Sequence, residues 1–154
     1  MTDSINLLNA LPGLLIFKIG AKEFCMDISC VQSILDIEGN EDKFDRSAGS
    51  YRKISYSDAN YYLIDSARLF NSVPVNTKGK KIILYILFGK RVGVIVDKIV
   101  EFISLDALFI EKNIDFNVYK ENKYVSWYLD YHGRRILYPN YEKIARNFHH
   151  QGFF

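Results

Sequence analysis

The stretch Lys81–Ser104, KIILYILFGKRVGVIVDKIVEFIS, decides how the rest of the chain is interpreted. It contains two short apolar runs, Ile82–Leu87 and Val92–Val96, and both are rich in isoleucine and valine, which favour strands over helices. Gly89 lies between the runs and can adopt the left-handed conformation of a tight turn. We therefore predict a β-hairpin, followed by a third segment over Lys98–Ser104. Because neither run alternates apolar with polar residues, both faces of this hairpin should be buried in the core.

The composition is typical of a globular protein with a single domain. The chain has 154 residues, of which 49% are hydrophobic and 25% charged, and this is enough for an ordinary core. A net charge of only +2 argues against a protein that binds polyanions with its whole surface. Uncharged apolar runs all fall short of the ~20 residues of a membrane span, and the N-terminus lacks the features of a signal peptide. A cytoplasmic protein is therefore expected.

Further strands are predicted on both sides of the central hairpin. They cover Leu14–Ile19 with Glu23–Ile28, Tyr51–Tyr56 with Asn60–Ile64, and Tyr124–Tyr131 with Arg134–Tyr138. Along one of these strands Phe24, Met26 and Ile28 are expected to point one way and Glu23, Cys25 and Asp27 the other. Cys25 and Cys30 are expected to be reduced, buried thiols. Pro139 suits the first position of a helix, and we expect this C-terminal helix over residues 139–148.

The connecting segments are predicted from their turn residues and polarity. Asp36–Ser50 is acidic and contains two glycines without an apolar period, and Asn113–Asn122 is polar, so both are predicted to be loops. Asp65 is a candidate N-cap for a short helix over Ser66–Phe70, because its carboxylate can accept hydrogen bonds from the free amides of the first turn.

A faint internal echo relates the two halves of the chain. Leu14–Leu35 and Ile83–Ile103 share an apolar strand, a glycine turn, a second strand and then another apolar segment. Two similar β-units packed together would explain this echo. The many short strands and glycine turns favour barrels or a sandwich.

Four segments, taken in order, carry a more specific pattern. They are LLIFKIGAKEFCMDISCVQSI (Leu14–Ile34), YSDANYYLIDSARLF (Tyr56–Phe70), ILFGKRVGVIVDKIVEFI (Ile86–Ile103) and ILYPNYEKIA (Ile136–Ala145). In this order the chain resembles the CheW-like family, the chemotaxis coupling proteins, over about residues 14–147. The run V-G-V-I-V-D at Val92–Asp97 is the best single match to a family motif.

The resemblance implies a mainly β fold with two packed five-stranded SH3-like β-barrel subdomains and short helices, including one at the C-terminus. The implied organisation is an N-terminal extension (1–13), a single CheW-like domain (14–147) with intertwined subdomains at about 14–70 and 80–138 and the helix at 139–148, and a tail (149–154). Family members are adaptors without catalysis, and no cofactor or metal is expected. The implied function is chemotaxis signal transduction by protein binding. The implied partners are the regulatory domain of a histidine kinase (CheA-like), a chemoreceptor's cytoplasmic tip, or other CheW-like domains.

The chain departs from the family pattern at four positions. Ser33 stands where the family motif has an acid, and Ser57 stands where it has an arginine. Asp58 replaces a glycine and Tyr62 a proline. Losing one partner of a buried ion pair costs ~3–5 kcal/mol, whereas losing both can be close to neutral. Because both charges are absent here, the fold need not suffer, but the identity of the partner is open.

The candidate contact surfaces are the two apolar segments that follow a predicted strand pair in each half of the chain, one after Leu14–Ile28 and one after the central hairpin. Val31 and Ile34 match the family, and Ile99 and Phe102 are their counterparts in the second half. The alternative is that these four side chains belong to core strands, and the sequence leaves both possibilities open.

A small barrel that binds nucleic acid is the alternative function. Basic residues collect at three turns: Lys78, Lys80 and Lys81; Lys90 and Arg91; Arg134 and Arg135. In the last hairpin, however, the more polar face is expected to place Asp130 beside Tyr124 and Tyr128 without a cation, which is a poor stacking platform for a polyanion. Solvated turns, or charge that steers a protein partner, are therefore favoured.

Catalysis has little support in the sequence. The histidines fall in a predicted turn (His132) and near the C-terminus (His149 and His150), without a nucleophile and orienting acid in view. Asp27, Asp65 and Asp97 each close an apolar run, which is more typical of caps and strand ends than of a carboxylate cluster. The two cysteines, Cys25 and Cys30, lack metal-ligand or redox spacing.

Overall fold

Twelve β-strands and one α-helix make up the described part of the chain, which comprises residues 13–47, 50–64, 70, 79–104 and 115–150 of a computed structural model. The elements are β1 (Gly13–Ile19), β2 (Lys22–Asp27), β3 (Val31–Asp36), β4 (Phe44–Ser47), β5 (Ser50–Tyr56), β6 (Ala59–Ile64), β7 (Lys81–Leu87), β8 (Lys90–Val96), β9 (Lys98–Ser104), β10 (Asp115–Val118), β11 (Val125–Tyr131), β12 (Arg134–Pro139) and α1 (Tyr141–His150). Short 3-10 turns at Ile28–Cys30 and Glu41–Lys43 precede β3 and β4.

The predicted central hairpin is confirmed. β7 and β8 pair antiparallel with Leu87 opposite Lys90, and the two turn residues, Phe88 and Gly89, have φ of 52° and 72°. Two successive positive φ values are the signature of the type I′ turn, whose twist matches that of the strands. Ile82 on one face of β7 and Ile83 on the other both have exposed fractions of 0%. Both faces of this hairpin are therefore core faces, as its unbroken apolar runs predicted.

The strands form two sheets of six. Their orders are β10-β11-β12-β2-β1-β9 in sheet one and β3-β7-β8-β6-β5-β4 in sheet two, with parallel pairs β12–β2 and β6–β8 among otherwise antiparallel neighbours. In sheet two, Ser33 Oγ on β3 donates a hydrogen bond to the Tyr56 hydroxyl on β5 at 3.3 Å. Four strand spacings of about 4.8 Å separate these strands in a flat sheet, so the sheet must curl on itself for the two side chains to meet.

The mainly β architecture of two packed curled sheets with a C-terminal helix is confirmed, but each sheet has six strands where five were predicted. The two additional strands lie in segments predicted to be loops. β4 lies within Asp36–Ser50, where Phe44 is buried at an exposed fraction of 9% opposite Ile54. β10 lies within Asn113–Asn122 and pairs with β11. β4 (FDRS) shows no alternation in the sequence, whereas β10 (DFNV) alternates polar and apolar residues over only four positions, the shortest run that can indicate a strand.

The two sheets exchange strands. β1 and β2 form a hairpin in sheet one, after which β3 crosses to sheet two and pairs with β7. β7 and β8 form the central hairpin in sheet two, after which β9 crosses to sheet one and pairs with β1. The internal echo in the sequence corresponds to this reciprocal arrangement. As a result, sheet two spans residues 31–96 and sheet one is built from both ends of the chain, so the sheets do not coincide with the ranges 14–70 and 80–138.

Apolar side chains gather in three clusters. The main core lies between the sheets and includes Phe17, Phe24, Ile83 and Tyr85. The second fills the inside of sheet one with residues from β1, β2, β9, β11 and β12, and the third fills the inside of sheet two. Cys25 belongs to the second cluster and is fully buried. Its thiol is buried because that face of β2 points into the curled sheet.

Asp97 ties the crossing between β8 and β9 to both sheets. Its backbone N–H donates to the Lys18 carbonyl at 2.8 Å, and its carboxylate accepts a hydrogen bond from the Gly20 N–H. The same carboxylate forms an ion pair with Lys80, just before β7. The aspartate of the V-G-V-I-V-D run therefore joins the β1–β2 turn in sheet one to the start of the central hairpin in sheet two.

The C-terminal helix packs on the main core through its first turns. Tyr141 and Ile144 are buried there, and the Tyr141 hydroxyl donates to the Cys25 carbonyl at 2.6 Å. The helix starts later than predicted, since Pro139 ends β12 and α1 begins at Tyr141. Asn140 caps it, because its side-chain oxygen accepts from the Lys143 N–H at 3.0 Å.

Several predicted segments lie outside the described residues. These are positions 1–12 of the N-terminal extension, the proposed cap Asp65 with residues 66–69 of its helix, and tail residues 151–154, whereas His149 and His150 belong to α1. Within the described residues, no helix is long and apolar enough to cross a membrane.

We expect Asp97→Asn to lower the free energy of unfolding by about 1–3 kcal/mol, because it removes a carboxylate whose partners remain partly buried. The side chains of Lys80 and Asp97 are only 15% and 21% exposed. The Lys81–Asp36 pair is 40% and 66% exposed, so Asp36→Asn is the matched control and should cost less than about 0.5 kcal/mol. Urea unfolding at neutral pH measures both, and equal losses would contradict the role given to Asp97.

The stability of the fold should fall in alkaline solution. Burial raises the pKa of Tyr85, Tyr138 and Tyr141, and the nearby Asp27 carboxylate raises the pKa of Tyr138 further. The folded chain therefore holds these protons more tightly than the unfolded chain, where tyrosine ionises at about pH 10. The stabilisation that comes from these tyrosines should be fully present below about pH 10, and the free energy of unfolding should decline as the pH rises above that value.

Urea midpoints measured across this range, with tyrosinate absorbance recorded in parallel, test the expectation. Tyr138→Phe should flatten the decline, because one group with a raised pKa is removed. Tyrosines that all ionise near pH 10 in a chain that stays folded would contradict it.

Candidate protein-interaction surfaces

Of the four predicted contact residues, Val31 is buried and Ile99 is half-buried. Val31 has an exposed fraction of 4% and belongs to the main core between the sheets. Ile99 is half-buried and packs against the same cluster. Val31 is therefore barely accessible to a partner. It is buried because it is the first residue of β3, at the point where the chain leaves sheet one.

The other two predicted contact residues are exposed. Ile34 on β3 is 37% exposed and Phe102 on β9 is 36% exposed. β3 ends sheet two and β9 ends sheet one, so these residues lie on the two strands that have crossed between sheets. Within the described ranges, each of these strands pairs with a neighbour on one side only. End strands with exposed apolar side chains are surfaces on which other proteins dock.

Ser33 and Ser57 occupy different environments. Ser33 is half-buried and bonds to the Tyr56 hydroxyl, which packs against the cluster inside sheet two. Ser57 lies one residue further on, exposed in the turn between β5 and β6, with Asp58 beside it. Tyr62 is half-buried on β6. Where the family resemblance implies an ion pair, this chain thus has an uncharged hydrogen bond between Ser33 and Tyr56, and the partner of Ser33 is Tyr56 rather than Ser57.

Two hairpin tips lie side by side at one end of sheet two. β6 and β8 run parallel with Tyr62 opposite Val92, and the turns Ser57-Asp58 and Phe88-Gly89 immediately precede these two strands. The φ values of Ser57, Asp58 and Phe88 are 51°, 61° and 52°. For a residue with a side chain this left-handed backbone costs about 1–2 kcal/mol. Such strain is concentrated at functional sites more often than elsewhere.

Phe88 is the functional candidate that the sequence analysis missed. It occupies the first position of the turn in the predicted central hairpin, and its side chain is 58% exposed. An aromatic residue at the first position of a two-residue turn was the available signal, because Asn or Gly is preferred there.

Three of the basic residues predicted to gather at turns, Lys80, Lys81 and Arg134, are paired with acids. Lys80 pairs with Asp97, and Lys81 pairs with Asp36. Arg134 makes the most extensive contact: its Nε and Nη2 donate to Glu23 at 3.1 and 2.8 Å, and its Nη1 donates to Glu101 at 2.6 Å. The hydrogen bonds to Glu23, and to a lesser extent those to Glu101, raise the pKa of Arg134. These neutralised cations are poorly available to a phosphate backbone.

Cations do accompany the tyrosines of the last hairpin, contrary to the prediction. The Arg135 guanidinium lies 4.1 Å from the centre of the Tyr128 ring, and Lys123 Nζ lies 5.2 Å from that of Tyr124. Arg135 comes from the neighbouring strand β12, so the pattern within one strand could not reveal it. Because the cations cover the rings, these tyrosines do not form an open platform for stacked bases.

Two of the aspartates considered for chemistry, Asp27 and Asp97, make structural contacts. Asp27 accepts a hydrogen bond from the Tyr138 hydroxyl at 3.0 Å, while Asp97 holds the strand crossing. Burial raises the pKa of Cys25 and of Cys30, which keeps both thiols protonated at neutral pH. Over the described ranges, no three His, Cys, Asp or Glu side chains are grouped in a way that could hold a metal ion.

Comparisons with known proteins show the family through a family model and support the fold through a solved structure. The family model for the CheW-like domain matches residues 13–148. The crystal structure of the scaffolding protein TtCheW from Thermoanaerobacter tengcongensis is similar, with a TM-score of 0.65 and 18% sequence identity over 84% of this chain and 88% of that one. A search of curated proteins found no significant match. At 18% identity the structural likeness supports the fold, and the family model identifies the lineage: this chain belongs to the CheW-like domain family.

Proposed function

We propose that this chain is a non-enzymatic adaptor in chemotaxis-type signal transduction, which bridges a histidine kinase and a chemoreceptor-like protein by binding both. The observation that carries the proposal is the pair of exposed apolar side chains, Ile34 and Phe102, on the two exchanged end strands of a CheW-like domain. The similar TtCheW is described as a scaffolding protein. The expected partners are the regulatory domain of the kinase (CheA-like) and the receptor's cytoplasmic tip.

The mechanism is binding to a rigid body. Each sheet is packed around its own apolar cluster and shares the main core with the other. The exchanged strands β3 and β9 are therefore held in a defined relation to each other. A partner on Ile34 and a partner on Phe102 would be fixed in relative orientation, which is the physical requirement for an adaptor that sets the geometry of a kinase.

Nucleic-acid binding remains the competing function, and the charge pairs weigh against it. Lys80, Lys81 and Arg134 are engaged with carboxylates, and the exposed cation Arg135 covers an aromatic ring. A protein partner needs apolar contact area with a polar rim, whereas a polyanion needs a continuous run of unpaired cations.

Calorimetric titration of the purified chain against the kinase regulatory domain and against a receptor tip fragment tests the proposal. We expect binding that changes little between low and moderate salt, because apolar burial dominates it. Titration against single-stranded DNA and RNA in the same buffers tests the alternative. Nucleic-acid binding that collapses steeply with salt, without binding to either protein, would reverse the ranking.

Ile34→Asp and Phe102→Asp should each weaken the binding of one protein partner by about tenfold or more while the chain still unfolds cooperatively. The new carboxylate must give up its hydration water when it is buried in the interface, and this desolvation cost weakens the binding. His132→Asp, in the exposed turn between β11 and β12, is the control for an added surface charge. If Ile34→Asp and Phe102→Asp fail to fold, these positions belong to the core and the assigned surface is wrong.

A further inference from the structure

Phe88 is unfavourable for stability in two separate respects. A large apolar side chain is 58% exposed at the tip of the central hairpin, and its backbone is left-handed, with φ of 52°. The turn partner is Gly89, so an asparagine at position 88 would create Asn-Gly, the pair that this turn favours most. Neither the exposure nor the strain is needed to close the hairpin, which points to a use for the side chain.

The tip holds Phe88 rigidly. β7 and β8 remain paired up to Leu87 and Lys90, the residues that flank the turn. Leu87 packs against the main core, and Val92, two residues after Lys90, is buried in it. An aromatic ring on a short anchored turn loses little conformational freedom when it is bound, so a fixed protrusion of this kind is suited to act as an interface anchor.

The charges around Phe88 define the complementary surface. Lys90 and Arg91 follow it on β8, and Arg91 is exposed. Asp58 is exposed in the neighbouring turn. An anionic lipid surface would attract Lys90 and Arg91 but repel the exposed carboxylate of Asp58 in the neighbouring turn, which disfavours a membrane. A socket on a protein partner, with an apolar floor and a carboxylate on only one side of its rim, would complement the positive charge of Arg91 without opposing the negative charge of Asp58.

We propose that Phe88 anchors this chain in an apolar socket, acidic on the side that faces Arg91, on the regulatory domain of the histidine kinase. The inference rests on the proposed function and extends it to a third contact, separate from Ile34 and Phe102. The receptor tip is the less suitable occupant, because a protruding ring fits a concave site between strands or loops rather than the convex surface of a helix.

The test compares Phe88→Asn with wild type in two measurements. The thermal midpoint should rise by about 2 °C or more, because the turn strain and the exposed apolar surface are removed together. The Kd for the purified kinase regulatory domain should rise by about tenfold or more. Phe88→Tyr keeps the ring and should bind within about threefold of wild type, whatever its stability.

His132→Asn is the matched control. His132 and Gly133 form the turn between β11 and β12 with φ of 50° and 75°, nearly the values of Phe88 and Gly89. The control therefore relieves the same backbone strain at another exposed tip and should leave the Kd unchanged. A gain of stability in both variants with a loss of binding only in Phe88→Asn supports the anchor.

The outcomes separate this inference from the function on which it rests. Wild-type binding to the kinase domain with an equally tight Phe88→Asn overturns the anchor alone. Failure of the wild type to bind the kinase domain overturns both. Binding of wild type to vesicles of anionic phospholipid, lost in Phe88→Asn while the Kd for the kinase domain is unchanged, identifies the tip as a lipid contact and also overturns the proposal.

Discussion

The reciprocal exchange of β3 and β9 is the constraint on which the rest of this structure depends. Each hairpin sends its third strand to the other sheet, so neither sheet can be completed without the other. Asp97 secures one of these crossings with its backbone and its carboxylate. The exchange places a shared core between the sheets and brings the two end strands, with their exposed apolar residues, to the surface of one rigid body.

The central hairpin was predictable because its signal is local. Ile82 and Ile83 are both buried since the strand is covered on both faces, and an unbroken apolar run is the direct consequence. The family resemblance then supplied the two-sheet plan. β4 escaped prediction because one buried residue, Phe44, is its only apolar anchor among polar neighbours.

Contacts between distant strands could not be predicted at all. A buried Cys25 was expected, but only the curling of sheet one shows why its face of β2 is interior. The cation over Tyr128 comes from β12, a neighbouring strand. Of the predicted contact residues, Ile34 and Phe102 are exposed, while Val31 is buried because β3 begins inside the core. Periodicity reports which side chains share a face, but the curvature of a sheet decides which face meets solvent.

One curled sheet is closed by charged contacts and the other by an uncharged hydrogen bond. In sheet one, β12 reaches β2 and β9 through an arginine and two glutamates, whereas in sheet two β3 meets β5 through a serine and a tyrosine. Dissolved ions screen the first kind of contact and leave the second almost untouched. A change in ionic strength thus acts more on the ion pairs that join β12 to β2 and β9 than on the hydrogen bond that joins β3 to β5.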